Sequence, residues 1–246
     1  WENSQNASAT GMQLNQKGIK NLYILSLNYA AGKQVVGGIE RTYKGNVVGK
    51  DFVPMSHKDW SAELTKIKAA KPDAVIAFYP GSWGPKFFGQ YNQAGLNKTT
   101  PLYHVFSVDM GSLPIFQKNG LNVVNTLQTA QWSPDFDTPH NKKFVRDFKK
   151  KYKMMPNTFA SQAYETIMLI KSGVDAVNGD VSKMDKMRAA LEKADFKALR
   201  GTFKYGKEHF PIQDFVAREV VAGSDGKWTL VSRGTVLKNS RAYNYK

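Results

Sequence analysis

Short β-branched or aromatic runs alternate with longer stretches of helical period between Asn21 and Phe106. This alternation is typical of βαβ units, which build a parallel sheet with helices on its faces. The pattern predicts strands at Asn21–Leu27, Asn46–Pro54, Asp73–Tyr79 and Leu102–Phe106. It predicts helices at Ala31–Tyr43, from Asp59 to Lys71, and from Pro85 to Gly95. This part of the chain is therefore expected to form an α/β unit.

A different pattern begins near Gly120. Leu121–Trp132 is apolar and extended, but no helix follows it directly, so we interpret it as a segment that crosses between two parts of the molecule. Helices are predicted next, at Asn141–Lys153, Thr158–Val177 and Ser182–Ala194. Phe215–Val221 and Trp228–Ser232 are rich in β-forming residues and flank an Asp-Gly turn. Because Asp-Gly is a strong hairpin signal, an antiparallel hairpin is expected there.

The composition is that of an ordinary globular protein, with 41% hydrophobic and 22% charged residues. Its apolar runs, such as Asp73–Phe78 and Leu121–Leu127, are far shorter than the ~20 residues that span a bilayer. The absence of cysteine excludes disulfides, thiolate catalysis and cysteine-based zinc sites. The chain begins at Trp1 without an initiator Met or a signal sequence, so we expect a processed or truncated polypeptide.

The net charge of +15 raises the question of a nucleic-acid partner. The densest basic run, Lys142–Lys153, carries Phe144, Phe148 and Tyr152 at intervals of four, which is the buried stripe of a surface helix. Nucleic-acid stacking platforms expose their aromatic residues on sheets or grooves. We therefore interpret the lysines of this run as a solvated face and predict no nucleic-acid partner.

Candidate binding groups follow three of the predicted strands, at the edge where open parallel sheets bind their ligands. These loops are Asn28–Gly32, Pro80–Gly84 and Ser107–Asp109. Gly81 permits close approach of the backbone, and Ser82 and the free amides at the start of the next helix can hold a carboxylate. Trp83 offers a flat apolar wall. Each residue alone also fits an ordinary turn, but their coincidence on one edge predicts a site for a small carboxylic acid.

Enzymatic motifs are missing from the sequence: it has no GxGxxG after a strand, no GxxxxGK[ST], no GxSxG and no HExxH. The histidines are far apart and are expected to be surface or core residues; they are His57, His104, His140 and His209. Asp135 and Asp137 are interpreted as turn residues of a proline-bracketed loop. No catalytic residue, cofactor or metal ligand is predicted, and the protein is expected not to be an enzyme.

Four stretches in this order carry a resemblance to a known family: NLYILSLNYAAGKQVVGGIE, DWSAELTKIKAAKPDAVIAFYPG, FFGQYNQAGL and FASQAYETIMLI. They resemble the type I periplasmic solute-binding proteins of the Leu/Ile/Val-binding class. The resemblance implies two Rossmann-like lobes with parallel sheets, joined by crossing strands, with the ligand clamped between the lobes. It also implies a periplasmic protein that hands a branched-chain amino acid or related small carboxylic acid to an ABC permease in the inner membrane.

The resemblance implies a domain organisation in which the first lobe is incomplete. Residues 1–120 correspond to most of the second lobe and residues 121–135 to a hinge crossing. Residues 136–206 correspond to the remainder of the first lobe, and residues 207–246 to the hinge return and a terminal hairpin on the second lobe. The opening part of the first lobe is not in this sequence, so the chain is expected to be a fragment that binds its ligand poorly by itself.

Site residues also follow from the resemblance. Tyr29 matches an aromatic residue that closes over the ligand from the second lobe, and Ser82 and Trp83 fall in a loop that contributes another aromatic contact. Phe159 matches an aromatic residue at the start of a first-lobe helix, although a core role on the helix stripe is equally open. Hinge closure would then enclose the apolar part of the ligand between these aromatic side chains.

Ser107 and Asp109 match the place where amino-acid binders set a carboxylate against the ligand ammonium. A buried acid at Asp109 would offset the cost of enclosing an ammonium group, whereas an acid pointing outward would suit an aromatic carboxylate, which has no ammonium group. Three alternatives stay open: an aromatic-acid receptor of the same family, the effector-binding domain of a transcriptional regulator, and a hydrolase that uses Asp109 with His104.

Overall fold

The computed structural model describes residues 2–201 and 204–242. Its α-helices are α1 (Asn3–Gln16), α2 (Ala30–Thr42), α3 (Ser61–Ala70), α4 (Trp83–Gln93), α5 (Leu113–Lys118), α6 (Pro139–Tyr152), α7 (Thr158–Ala176) and α8 (Met184–Lys193). Its strands are β1 (Asn21–Leu27), β2 (Asn46–Val53), β3 (Ala74–Phe78), β4 (Leu102–His104), β5 (Leu127–Ala130), β6 (Lys204–Tyr205), β7 (Pro211–Ala222) and β8 (Trp228–Ser240). The prediction about Trp1 and parts of the predicted ranges 136–206 and 207–246 lie outside the described residues.

The strands form one sheet in the order β2-β1-β3-β4-β5-β7-β6, and β8 pairs with β7. Neighbouring strands from β2 to β5 are parallel, with Leu22 of β1 beside Ala74 of β3 and Val75 of β3 beside Leu102 of β4. The pairs β5–β7, β6–β7 and β7–β8 are antiparallel. The α/β class and the terminal hairpin are as predicted, and both hairpin strands are longer than expected.

Alternate residues of β1 pack into opposite faces of the sheet, because side chains along a strand point alternately up and down. Tyr23, Leu25 and Leu27 belong to one core, together with Trp60 and Phe87 and other apolar residues from α3 and α4. Leu22 and Ile24 belong to the core on the other face, against the apolar stripe of α2. The sheet is therefore covered on both faces, as expected of βαβ units.

A smaller core holds the segment after β5 against the helices that follow it. Trp132, Phe144 and Leu199 are buried together, with Phe148 packed beside them. The predicted inner stripe of α6 is thus confirmed for Phe144 and Phe148. Tyr152, the predicted third member, is 53% exposed, because the stripe reaches the last residue of α6.

Two helices were not predicted from the sequence. α5 is a single short helix after the loop that follows β4. α1 is buried but polar: Gln5 Nε2 donates to the carbonyl oxygens of Pro211 and Ser240 at 3.1 Å each, and Ser8 Oγ donates to Gly38 O at 3.1 Å. Hydrogen bonds of this kind, together with the burial of Ala7 and Leu14 in the core against α2, hold α1 in place.

Several predicted elements differ from the structure at their ends. β4 stops at His104 because Phe106 adopts a left-handed conformation, with φ 54°, which interrupts the predicted strand. Within the predicted crossing segment, the strand β5 is short, and Asn125 is left-handed (φ 68°) just before it. α4 begins at Trp83, earlier than the predicted Pro85. No helix among the described residues is long and apolar enough to cross a membrane.

Candidate functional site

The predicted site loops lie together at the carboxyl edge of the parallel sheet. They follow β1, β3 and β4, which are consecutive neighbours in the sheet order. β1 and β3 are adjacent in the sheet, but the chain continues from β1 to β2 on one side of this pair and from β3 to β4 on the other side. The loops after β1 and β3 therefore run in opposite directions, at the point where the strand order reverses. Open α/β sheets form their ligand crevices at such a switch point.

Tyr29 lies at this switch point as the residue before α2. It is half-buried, and its ring stacks on Phe78 at the end of β3, with the centroids 6.1 Å apart and an angle of 13° between the planes. Burial raises the pKa of Tyr29 above its usual range, so the phenol stays protonated at neutral pH. Tyr29 can therefore present both an apolar ring and a hydroxyl donor to a ligand.

Gly81, Ser82 and Trp83 form the turn from β3 into α4. Gly81 is left-handed, with φ 65°, a conformation that favours glycine. Ser82 is the exposed N-cap of α4, and its side chain makes no capping hydrogen bond. Trp83 is half-buried against the core, and its indole Nε1 donates to Met55 O at 3.0 Å, which fixes the ring. The turn thus combines a hydroxyl, the amino end of a helix and a held aromatic ring.

Gly84 brings the turn directly against the loop after β4. A Cβ atom at Gly84 would lie 2.6 Å from the carbonyl oxygen of Ser107 and 3.1 Å from that of Tyr79. Contacts below 3.0 Å are not tolerated by real side chains, so only glycine permits this approach. The loops after β3 and β4 are therefore in contact, and the predicted residues on them share one edge.

Ser107 is 3% exposed and is engaged with the backbone. Its Oγ accepts a hydrogen bond from Tyr79 N at 3.0 Å and is 3.2 Å from Val105 O, to which it can donate. These bonds join the end of β3 to the loop after β4. The geometry supports a structural role for Ser107, and the predicted ligand role gains no support from it.

Asp109 is half-buried and organises its own loop. Its Oδ1 accepts hydrogen bonds from the amides of Gly111 at 2.7 Å and Ser112 at 2.9 Å, just before α5. Two amide donors stabilise the carboxylate in place. Asp109 is thus at the predicted edge, but one of its oxygens is directed to its own loop instead of outward.

Phe159 is the second residue of α7 and is 51% exposed. The N-cap of α7 is Asn157, whose Oδ1 accepts from Ala160 N at 2.8 Å. A Cβ atom at Gly111 would lie 3.4 Å from Asn157 Nδ2, so the Asp109 loop reaches the amino end of α7. The structure therefore brings the start of the helix that carries Phe159 close to the rim of the sheet.

Arg218 on β7 is a buried charge that sequence reasoning missed. Its Nη1 donates to Trp132 O and to Thr158 Oγ1 at 3.1 Å each, and its Nη2 donates to Gln128 Oε1 at 2.9 Å. Burial lowers its pKa to about 10, and the negative charges of Asp109 and Asp135 oppose that shift. The feature of the sequence that could have indicated this buried charge is a single arginine within a strand whose neighbouring residues are mostly apolar.

Gln128 extends this network to the rim, since its Nε2 donates to Val108 O at 3.0 Å. Arg218 is therefore connected on one side to the residue before Asp109 and on the other to Thr158, the residue before Phe159. The guanidinium Nε of Arg218 has no hydrogen-bond partner among the described residues. The network links β5, β7, the loop after β4 and the start of α7.

His104 does not form a catalytic pair with Asp109. Its ring is fully buried, packs edge-on against Phe88 at 5.8 Å, and has Thr126 Oγ1 at 3.4 Å from Nε2. Burial, with a contribution from the charge of Arg218, lowers the pKa of His104 to about 3, so the ring is neutral. The hydrolase alternative has no geometric support. Among residues 2–201 and 204–242, no cluster of potential ligands could hold a metal ion.

A cavity of about 300 Å³ lies away from the rim, between α7 and the start of β7. It surrounds the buried ion pair of Glu165 with Arg200, and Gln162 lines it. It shares no lining residue with the loops after β1, β3 and β4. The rim is the better candidate, because it collects groups from several strand ends at the switch point.

An open α/β sheet with candidate binding groups at the carboxyl edge defines a fold class that binds ligands at that edge. A family model described as periplasmic binding protein matches residues 1–227. The chain belongs to this family. It is 26% identical over 223 residues to the Leu/Ile/Val-binding protein homolog 6 of Brucella abortus (strain 2308). The matched region covers 86% of this chain and 56% of that protein. The chain thus spans about half the length of the curated relatives it matches.

Solved structures agree with the family. An ABC transporter solute-binding protein from R. palustris, in complex with benzoate, is 31% identical, with a TM-score of 0.86 over 98% of this chain and 65% of that chain. The closed leucine-, isoleucine-, valine-, threonine- and alanine-binding protein from Brucella ovis is 19% identical, with a TM-score of 0.81 over 97% of this chain and 65% of that one. The latter likeness concerns the fold alone. The predicted family and fold class are confirmed.

Proposed function

We propose that this chain is the greater part of the solute-binding component of an ABC importer, and that it binds a small carboxylic acid at the carboxyl edge of its sheet. Family membership and the likeness to ABC transporter solute-binding proteins support this proposal. A non-enzymatic role, a periplasmic location and delivery of the ligand to an inner-membrane permease are parts of the same proposal. A regulator would instead carry a helix-turn-helix segment elsewhere in its chain.

The arrangement of Asp109 favours an aromatic carboxylate over an amino acid. An amino-acid ligand brings an ammonium group, whose burial a free carboxylate must offset. Asp109 Oδ1 is instead bonded to the amides of Gly111 and Ser112. An aromatic acid needs no such partner, and Tyr29 and Trp83 supply flat apolar surface for its ring. The likeness to a benzoate-bound relative supports this choice.

A branched-chain amino acid is the second candidate. Its support is the similarity to the Leu/Ile/Val-binding protein homolog 6. In that case the second oxygen of Asp109 would have to face the ligand ammonium. The two candidates therefore differ in whether Asp109 contributes to affinity.

In the proposed binding mode, the hydroxyl of Ser82 and the backbone amides at the start of α4 hold the ligand carboxylate, because the amino end of a helix favours an anion. Tyr29 and Trp83 contact the ring from the sheet edge. Phe159 approaches from the start of α7, and the lobes close around the ligand. Ligand binding would then select the closed form.

Calorimetric titration of the protein expressed from its complete gene tests the proposal. Benzoate is expected to bind. Trp83→Ala is expected to weaken that binding by about tenfold or more, since the benzoate ring loses the apolar surface of the indole against which it is buried. Asp109→Asn should leave benzoate affinity within about threefold. Tyr152→Ala, on the exposed end of α6, is the control and should not change affinity.

The outcomes separate the candidates. Binding of leucine but not benzoate, with a large loss in Asp109→Asn, would establish the amino-acid alternative. No heat and no thermal shift with benzoate, leucine, valine or phenylalanine would refute the receptor assignment. Unchanged benzoate affinity in both Trp83→Ala and Tyr29→Ala would place the site away from this edge.

A further inference from the structure

The carboxyl end of α6 carries an unneutralised cluster of positive charge, which we call the lysine tip (residues 149–154, sequence KKKYKM). Its lysines are Lys149, Lys150, Lys151 and Lys153, and all are exposed. Among the described residues, none of them forms an ion pair with an acidic side chain, whereas the basic residues earlier in α6 do. The lysine tip is therefore free to attract an external anion.

The stability of α6 does not account for the whole cluster. The negative end of the helix dipole favours basic residues in the last turn. However, Arg146 lies three residues before Lys149 and four before Lys150 within α6, spacings at which like charges on a helix repel. One or two lysines would satisfy the dipole. The accumulation of four in five positions calls for a partner outside the helix.

Two exposed apolar side chains lie within the same cluster. Tyr152 is 53% exposed and Met154 is 51% exposed, and the ammonium of Lys151 lies 5.3 Å from the centre of the Tyr152 ring. Tyrosine is enriched at the level of lipid headgroups, where its ring is buried and its hydroxyl stays hydrated. Lysine stems can cover apolar surface while the ammonium reaches a phosphate.

We propose that the lysine tip binds the surface of a bilayer that contains anionic phospholipid, with Tyr152 and Met154 entering the headgroup region. Clusters of four to eight basic residues beside an amphipathic helix bind such surfaces by Coulomb attraction. A nucleic acid fits less well, because Tyr152 packs against Phe148 with centroids 4.6 Å apart instead of standing as an open stacking platform. This contact would keep the protein close to the membrane, and it does not depend on the ligand at the sheet edge.

Vesicle co-sedimentation of the protein expressed from its complete gene tests the proposal. Each lysine near an anionic surface is expected to strengthen binding about fivefold. The protein should sediment with phosphatidylcholine vesicles that contain phosphatidylglycerol and remain in solution with phosphatidylcholine alone. Changing all four tip lysines to Gln should weaken binding at least about a hundredfold. Raising the salt to about 1 M, where the Debye length is about 3 Å, should release the wild-type protein.

The matched control removes the same charge from another helix. Lys183, Lys186, Arg188 and Lys193, in and beside α8, are exposed and are changed together to Gln. This control should bind the vesicles within about fivefold of wild type. Circular dichroism of both variants establishes that they fold.

Three results would overturn the proposal. The first is equal loss of binding in the tip variant and the α8 variant, which would reveal only an effect of net charge. The second is equal sedimentation of wild type with both kinds of vesicle, or with neither. The third is retention by soluble polyglutamate without any vesicle binding, which would point to an acidic protein partner.

Discussion

Gly32 and Gly37 lie on the same helix, α2, but a methyl group is expected to have opposite effects at the two positions. A Cβ atom at Gly32 would lie 1.9 Å from Leu27 O, a backbone atom at the rim of the site, whereas a Cβ atom at Gly37 has nothing within 4 Å. Gly32→Ala should therefore destabilise the protein by ~2 kcal/mol or more through displaced backbone. Gly37→Ala should stabilise it by ~0.5–1 kcal/mol, because alanine loses less conformational entropy in a helix.

Urea unfolding of the two alanine variants and the wild type measures both effects. Each variant differs from wild type by the same methyl group in the same helix, so each serves as the control of the other. A similar change in the free energy of unfolding at both positions would contradict the close packing of α2 on the end of β1.

His104 is expected to make stability fall in mild acid. Its pKa in the folded protein is lowered to about 3, mainly by burial and secondarily by the charge of Arg218. The unfolded chain binds a proton near pH 6.5, so between about 6.5 and 3 the unfolded state holds more protons than the folded state. The contribution of His104 to the free energy of unfolding should thus decline with falling pH, by at most ~1.4 kcal/mol per pH unit.

Urea unfolding between pH 7 and pH 5 tests this, with His104→Gln against wild type. The variant should lose much of the slope, whereas His140→Gln, at an exposed position, should keep it. Parallel slopes for wild type and His104→Gln would show that His104 is accessible to protons in the folded protein.

At the residue scale, the sequence predicted where the candidate groups lie better than what they do. The edge could be predicted because strand ends and glycine turns leave a local signature. Two sets of hydrogen bonds could not be predicted: those of Ser107 with the backbone of Tyr79 and those of Asp109 with its own loop. Hydrogen bonds to backbone amides do not depend on a pattern of side chains that can be recognised in the sequence. Arg218 was missed for a related reason, since its acceptors come from two segments distant in sequence, one at Gln128 and Trp132 and the other at Thr158.

Among the elements, α6 offers a direct test of its inner stripe. Phe144 is 6% exposed and contacts Trp132 and Tyr164, with ring centroids 6.2 and 4.9 Å away. Phe144→Ala should destabilise the protein by ~3 kcal/mol, because it removes a buried ring from the core that holds α6. Tyr152→Ala, at the exposed end of the same stripe, should change stability by ~0.5 kcal/mol or less.

Thermal unfolding with urea titration of both variants measures the difference. A comparable loss in the two variants would mean that Tyr152 is covered in solution. A negligible loss in Phe144→Ala would mean that α6 is attached by its polar contacts and not by the stripe.

The helices that were predicted and those that were not differ in how their faces are buried. α2, α3 and α4 bury apolar stripes whose period is visible in the sequence. α1 buries polar residues such as Ser4, Gln5, Asn6 and Thr10 among its few apolar ones, so its sequence carries no clear apolar period. Small residues let α1 and α2 approach closely: a Cβ atom at Gly38 would lie 2.8 Å from the Cβ of Ala7. Some hydrogen-bond partners of α1, such as the carbonyl groups of Pro211 and Ser240, are distant in sequence, so the sequence near α1 does not reveal why its polar residues are buried.

At the scale of the whole molecule, ligand binding is expected to couple to closure of the two predicted lobes, residues 1–120 and 136–206, about the predicted crossing at 121–135. A ligand that binds only the folded protein, at a hundredfold excess over its Kd, raises the free energy of unfolding by ~2.7 kcal/mol. For a protein of this size, that corresponds to a rise in Tm of about 5–10 °C. Benzoate should produce this rise in the protein expressed from its complete gene.

Closure also predicts a change of shape, which small-angle X-ray scattering measures independently of stability. The radius of gyration should decrease when benzoate is added, because closing a cleft brings two masses together. Trp83→Ala should need a higher benzoate concentration for the same decrease, since the indole contributes to affinity and not to the hinge. A full rise in Tm with an unchanged radius of gyration would show that the ligand binds a preformed site on the sheet edge, and the predicted division into moving lobes would then be wrong.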